Sequence, residues 1–206
     1  MELNDTSYQF ILKWEVGGGQ PYYDRFCAHP TWPQGASGVT IGVGYDLGYT
    51  SAGDFQSQWA ARLDPGIASR LAPVLGLKGA SAQSSVASVR DIVIPWAIAE
   101  AVYREVTVPN TCALTVGAFP GVDQLASNAQ GALVSLVFNR GTKMTGPTRT
   151  EMATVRTLVP QKDYEGIAEQ LESMKRLWPD TPGLQNRRDA EAALVRSAIA
   201  QASTAV

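Results

Sequence analysis

Thr40-Ile41-Gly42-Val43-Gly44-Tyr45-Asp46-Leu47-Gly48 is the stretch on which the reading of this chain turns. β-Branched and aromatic residues are broken up by glycines here. The runs Gly38-Val39-Thr40-Ile41-Gly42 and Val43-Gly44-Tyr45 are therefore expected as interrupted strands, and the region from Pro21 to about Tyr49 as a small, irregular antiparallel sheet. Thr40 and Asp46 bracket two glycines whose missing side chains permit close backbone approach to a ligand.

Upstream, Thr6-Ser7-Tyr8-Gln9 has the form of a capping box that opens a helix. Phe10, Ile11 and Trp14 give that helix an apolar stripe, and Gly17-Gly18-Gly19 stops it. Glu15 thus falls in the last turn, on the flank of the stripe. The negative end of the helix dipole and an apolar flank both disfavour the ionised form of such a carboxyl. A group that keeps its proton is what the acid of a glycosidase needs. Asp24, nine positions on, and Asp46 with Thr40 supply a carboxylate and a hydroxyl on the neighbouring segment. Such a pair can stabilise charge or hold a water for attack.

Downstream the pattern turns helical. Pro95 suits a first helical turn, and Trp96, Ala99, Val102, Tyr103 and Val106 recur at helical spacing. Leu125, Ala129, Ala132, Leu133, Leu136 and Val137 predict the strongest helix, its small residues implying close packing on several sides. Further helices are expected over about 163–175 and about 184–202. The whole is expected to be α+β, one domain over 1–206, with a hairpin lobe at about 18–50 and a helical lobe at about 51–206 against which helix 1 packs.

Composition narrows the function. With 45% hydrophobic and 17% charged residues among 206, the chain can bury a real core. A net charge of −2 without a basic stripe argues against nucleic acid as a partner. A lone histidine, His29, and two distant cysteines, Cys27 and Cys112, argue against a His/Cys zinc site, while a Cys27–Cys112 disulfide stays open. No basic-then-apolar leader opens the sequence, and no apolar run approaches the roughly 18 residues of a membrane span.

Glu15, the Tyr22-Tyr23-Asp24 triplet and the Thr40–Gly48 run together resemble the phage-type lysozymes, or endolysins. The order resembles even more the variant found in pesticin-like lysozyme domains. Leu133-Val134-Ser135-Leu136-Val137-Phe138-Asn139-Arg140-Gly141 is similar to that family's central-helix segment, and Gly183-Leu184-Gln185-Asn186-Arg187-Arg188 to its C-terminal signature. The resemblance implies a lysozyme-like fold and a muramidase that cuts between N-acetylmuramic acid and N-acetylglucosamine, with no metal or organic cofactor. It maps Glu15 onto the acid and Thr40 onto the family's threonine. Asp24 fits the phage-lysozyme spacing and Asp46 the pesticin-like order, so both remain candidates. The chain departs from the phage pattern by the extra segment Phe26–Ser37 and by Tyr45 where a histidine is usual. Tyr45, Trp32, Asn139 and Arg140 are candidate saccharide contacts; Arg187 and Arg188 are expected as salt-bridge anchors between lobes.

The implied partners are peptidoglycan glycan strands and, for a toxin, an immunity protein, without membrane insertion. A bacteriolytic enzyme of this kind, made in the cytoplasm without a signal peptide, would act in the periplasm or on the wall after delivery by another system. Two alternatives stand beside it: a peptidoglycan- or partner-binding module that does not cut, and a chitinase-type hydrolase.

Overall fold

The computed structural model describes residues 1–204, with side chains up to residue 200. In chain order, α1 (Asp5–Val16) and α2 (Gln20–Phe26) precede a hairpin of β1 (Thr40–Ile41) and β2 (Tyr45–Asp46). Next come α3 (Ala52–Phe55), α4 (Pro65–Leu71), α5 (Ala80–Ser85) and α6 (Trp96–Val102). Then follow α7 (Val108–Ala118), α8 (Ser127–Arg140), α9 (Thr150–Leu158), α10 (Tyr164–Ser173) and α11 (Pro182–Thr204). A helix-rich chain with one small antiparallel sheet is the α+β arrangement that the sequence pattern implies. The chain divides into two units: Met1–Trp14 with everything from Pro109 onward, and Glu15–Val108.

The first unit is built around α8. From Asn128 to Val137 every residue except Gln130 is buried, so the helix is enclosed rather than amphipathic. Close approach of α1 needs a missing side chain: a Cβ on Gly131 would lie 2.2 Å from Ser7 Oγ. Leu133, Leu136, Met152, Val155, Ile167, Leu171, Ala192 and Val195 complete one apolar core drawn from α8, α9, α10 and α11. The start of α1 differs from the expected capping box. Asn4, not Thr6, caps the helix, its Oδ1 accepting from the Ser7 amide at 2.8 Å, and Thr6 lies exposed inside the first turn. Asn4 wins because its side chain is also tied across to Asn128 at 3.3 Å.

The second unit holds the hairpin and α2–α6. Residues 20–26, expected in the sheet region, instead form α2. Proline at the second helical position costs no intrahelical bond, and Tyr23 anchors the helix by burying its ring on Trp96 and donating to the Ile94 carbonyl at 3.0 Å. The strands are also shorter than expected. Gly42-Val43-Gly44 is consumed by the turn, with Gly42 and Gly44 at positive φ, which leaves two residues on each side.

Candidate active site

Thr40 pairs with Asp46, and Ile41 with Tyr45, across the hairpin. The Thr40 amide and carbonyl are both bonded to Thr31, at 2.8 and 3.0 Å, so the Thr40–Asp46 pair is of the type without mutual backbone bonds. Such pairs bring Cα atoms to about 4.5 Å and place both side chains on one face. The segment Phe26–Ser37 thus contributes its Thr31 as a one-residue third strand.

Asp46 is held by backbone. The Gly38 amide donates to both carboxylate oxygens, 3.0 Å to Oδ1 and 3.1 Å to Oδ2, and the Gly48 amide donates to Oδ1 at 2.8 Å. A carboxylate offers about four acceptor positions. Three are filled here, so Oδ2 keeps one for a water or a substrate hydroxyl. The cradle demands glycine: a Cβ on Gly38 would sit 2.4 Å from Asp46 Oδ1 and 2.3 Å from the Gly48 amide. Thr50, whose hydroxyl donates to the Asp46 carbonyl at 2.9 Å, closes the same loop.

Tyr45 is half-buried and donates to Gln58 Oε1 at 2.6 Å. Burial pushes its phenol above the ordinary value; a bond to Thr50 opposes this and the nearby Asp54 charge adds to it. Trp59, fully buried, meets Tyr45 edge-on at 5.3 Å and presses on the turn, where a Cβ on Gly42 would be 2.6 Å from its Cη2. Nothing in the local pattern around Trp59 singled it out.

Glu15 is the penultimate residue of α1 and the first of the second unit. Its side chain is half-buried and its Oε1 is shielded from water. Asp24, by contrast, lies exposed on α2. Trp32 is half-buried and donates from its indole to the Ser37 carbonyl at 3.1 Å, which closes the loop on itself. His29 is an exposed loop residue bonded to the Ile92 carbonyl at 3.0 Å. Cys27 and Cys112 are both free thiols, each held above its usual pKa first by burial.

Asn139 and Arg140 end α8 in the first unit. Asn139 is exposed; Arg140 donates to the Thr148 carbonyl and lies 4.7 Å over the Trp178 ring. Burial, with repulsion from Arg149 and Arg188, pulls the Arg140 guanidinium down to about 10. Arg187 and Arg188 pair with Glu191 of their own helix, at 3.3 and 2.7 Å, and Arg187 also reaches Ser135 of α8. These contacts tie α11 to α8 within one unit, where the sequence suggested anchors between lobes.

The chain matches the family described as a domain of unknown function (DUF8812) over residues 11–188, and it belongs to that family. Among curated proteins the chain finds no match. In the described residues, no helix is long and apolar enough to cross a membrane.

Proposed function

We propose that this protein is a lysozyme-like glycoside hydrolase, a muramidase that cuts peptidoglycan strands between N-acetylmuramic acid and N-acetylglucosamine. The observation that carries the reading is the hairpin, on which Thr40 faces a carboxylate held in place by two backbone amides and left with a free acceptor position. Glu15, on a helix end in the same unit and with one oxygen shielded from water, has the setting of a proton donor. In the proposed mechanism Glu15 protonates the glycosidic oxygen, and Asp46 takes a proton from a water that the Thr40 hydroxyl positions. Attack by that water on the anomeric carbon breaks the bond with inversion. The backbone grip on Asp46 favours it over Asp24 for this role.

Action on the wall implies that the chain works outside the inner membrane. Purified cell walls and N-acetylglucosamine oligomers, each followed for new reducing ends, test the reading. Wall cleavage with little oligomer cleavage supports a muramidase; the reverse supports a chitinase-type hydrolase. Wall binding without cleavage by either measure points to a binding module.

A further inference from the structure

The exposed aromatic side chains of the second unit are not scattered. Tyr22 is 45% and Phe26 56% exposed, and they stack one helical turn apart on α2, ring centroids 4.8 Å apart and planes inclined by 48°. The Arg25 guanidinium lies 5.0 Å from the Phe26 ring centre. Exposed aromatic rings are costly to leave in water, and rings beside a cation suit a ligand that offers both apolar C–H faces and negative charge.

Tyr22 is also held in place rather than swinging free. The Tyr22 ring lies directly on the turn that ends α1, where a Cβ on Gly17 would be 2.8 Å from Tyr22 Cγ. Gly17 adopts a φ of +59°, so this close approach depends on glycine twice over. Glu15 is two residues before that glycine. The platform is therefore built onto the same turn that carries the proposed acid.

We propose that Tyr22, Phe26 and Arg25 form a docking platform for an acidic glycan strand, holding a sugar outside the bond being cut. The pyranose C–H faces lie on the two rings, and a carboxylate of the strand pairs with Arg25. This rests on the muramidase reading for the identity of the strand, but not for the existence of the platform. The other exposed aromatic of the unit, Tyr49, has the Lys78 ammonium 3.7 Å over its ring but, among the described residues, no second exposed ring beside it to widen the surface.

The test measures binding apart from cleavage. The Glu15→Gln protein is co-sedimented with purified cell walls and titrated with two soluble probes: peptide-free glycan strands that carry the muramyl carboxylate, and the neutral N-acetylglucosamine hexamer. Tyr22→Ala with Phe26→Ala should weaken wall and strand binding about tenfold or more. Arg25→Gln should weaken the acidic strand more than the neutral hexamer, and salt should narrow that difference. Phe26→Ser alone serves if the double variant melts early. Parent-like wall binding by the aromatic variants overturns the proposal. So does a dimer, seen in sedimentation velocity, that these variants abolish, because the platform's occupant is then a second copy. If the unsubstituted protein binds walls through these residues yet releases no reducing ends, the platform stands and the muramidase reading falls.

Discussion

Thr40 stands directly opposite Asp46 in the hairpin, and its own amide and carbonyl are turned away to Thr31. The Thr40 hydroxyl and the Asp46 carboxylate thus share a face while neither backbone is spent on the other. Asp46→Asn should cut the lytic rate by at least about a hundredfold, the scale of losing a positioned base. It should also cost about 1–3 kcal/mol, because an amide NH₂ placed toward Gly38 or Gly48 cannot accept from their amides. Asp24→Asn, on an exposed helical surface, should stay within about 0.5 kcal/mol of the parent and keep its rate. Initial rates on purified walls beside thermal melts decide the matter; an inactive, fully folded Asp24→Asn protein would assign the role to Asp24.

Glu15→Gln is nearly isosteric and lies in the last turn of α1. The variant should melt close to the parent yet lose roughly 10²–10⁴-fold in rate, the range for a general acid. A folded Glu15→Gln protein that retains more than about a tenth of the parent rate would falsify the assignment on that scale. Product stereochemistry, read by NMR in the first minutes of reaction, checks the other half of the mechanism: inversion is expected.

How much of this was legible in the sequence depends on whether a residue's role was local. Three consecutive glycines end α1 whatever surrounds them, so the placement of Glu15 in a final turn could be read directly. The enclosed character of α8 was likewise written in its small residues. The Thr40–Gly48 run gave the hairpin, but not its length, because nothing local says that both glycines and Val43 belong to the turn. Helix α2 was missed since its anchor, the Tyr23 bond to Ile94, spans 71 positions. Asn4 as the true cap, tied to Asn128 across 124 positions, was hidden for the same reason. Trp59 on the hairpin turn and Gly38 beneath Asp46 are nearer in sequence and show their roles only once the loop has folded back on itself.

The hairpin's dependence on Trp59 gives a stability prediction. Gly42→Ala puts a Cβ 2.6 Å from Trp59 Cη2 at a φ of +57°, a clash and a strained backbone together. A loss of about 1–3 kcal/mol is expected from the strain alone. Trp59→Ala removes a fully buried indole and should cost roughly 3–5 kcal/mol. The clash, unlike the strain, depends on Trp59, so Gly42→Ala in a Trp59→Ala background should cost less but keep the roughly 1–3 kcal/mol of strain, which a double-mutant cycle by urea denaturation reads directly.

Acid sensitivity in the first unit should draw on Glu151, as well as on Glu172, which hydrogen bonds from Arg196 also lower. Burial acts to raise the Glu151 pKa, but hydrogen bonds from Arg176 and from its own backbone, with the Arg176 and Arg140 charges, outweigh this and hold it below the usual carboxylate range. A carboxyl lowered in the folded state contributes stability above its unfolded value, near about 4.3, and that stability is lost as pH falls through the lowered folded value. Glu151→Gln should therefore flatten the decline of unfolding free energy below about pH 4.3. At neutral pH it should cost only about 1 kcal/mol, since Arg176 is half-exposed and stays solvated without its partner. Parallel slopes for the two proteins would show that other carboxylates govern acid unfolding.

Glu191 is the harsher case because its partners have no water to fall back on. It is fully buried, accepting from Ser135 Oγ at 2.6 Å and from Arg188 Nη2 at 2.7 Å, and Arg188 is itself fully buried with its guanidinium 5.8 Å from the Trp178 ring centre. Burial drives Glu191 above the ordinary carboxylate value and Arg188 below the ordinary guanidinium value, while each charge counteracts the shift in the other. Such a pair adds little net stability over an apolar filling, but breaking it leaves a buried charge uncompensated. Glu191→Ala should therefore cost roughly 3–5 kcal/mol. Replacing both members, as Arg188→Met with Glu191→Met, should recover part of that loss, because the buried Arg188 guanidinium is then gone, while Arg187, buried beside the same carboxylate, keeps its bonds to Ser135. Urea denaturation of the two single variants and the double variant tests the argument: a double variant less stable than both singles would mean that the Arg188–Glu191 pair earns its place through net attraction, against the desolvation account.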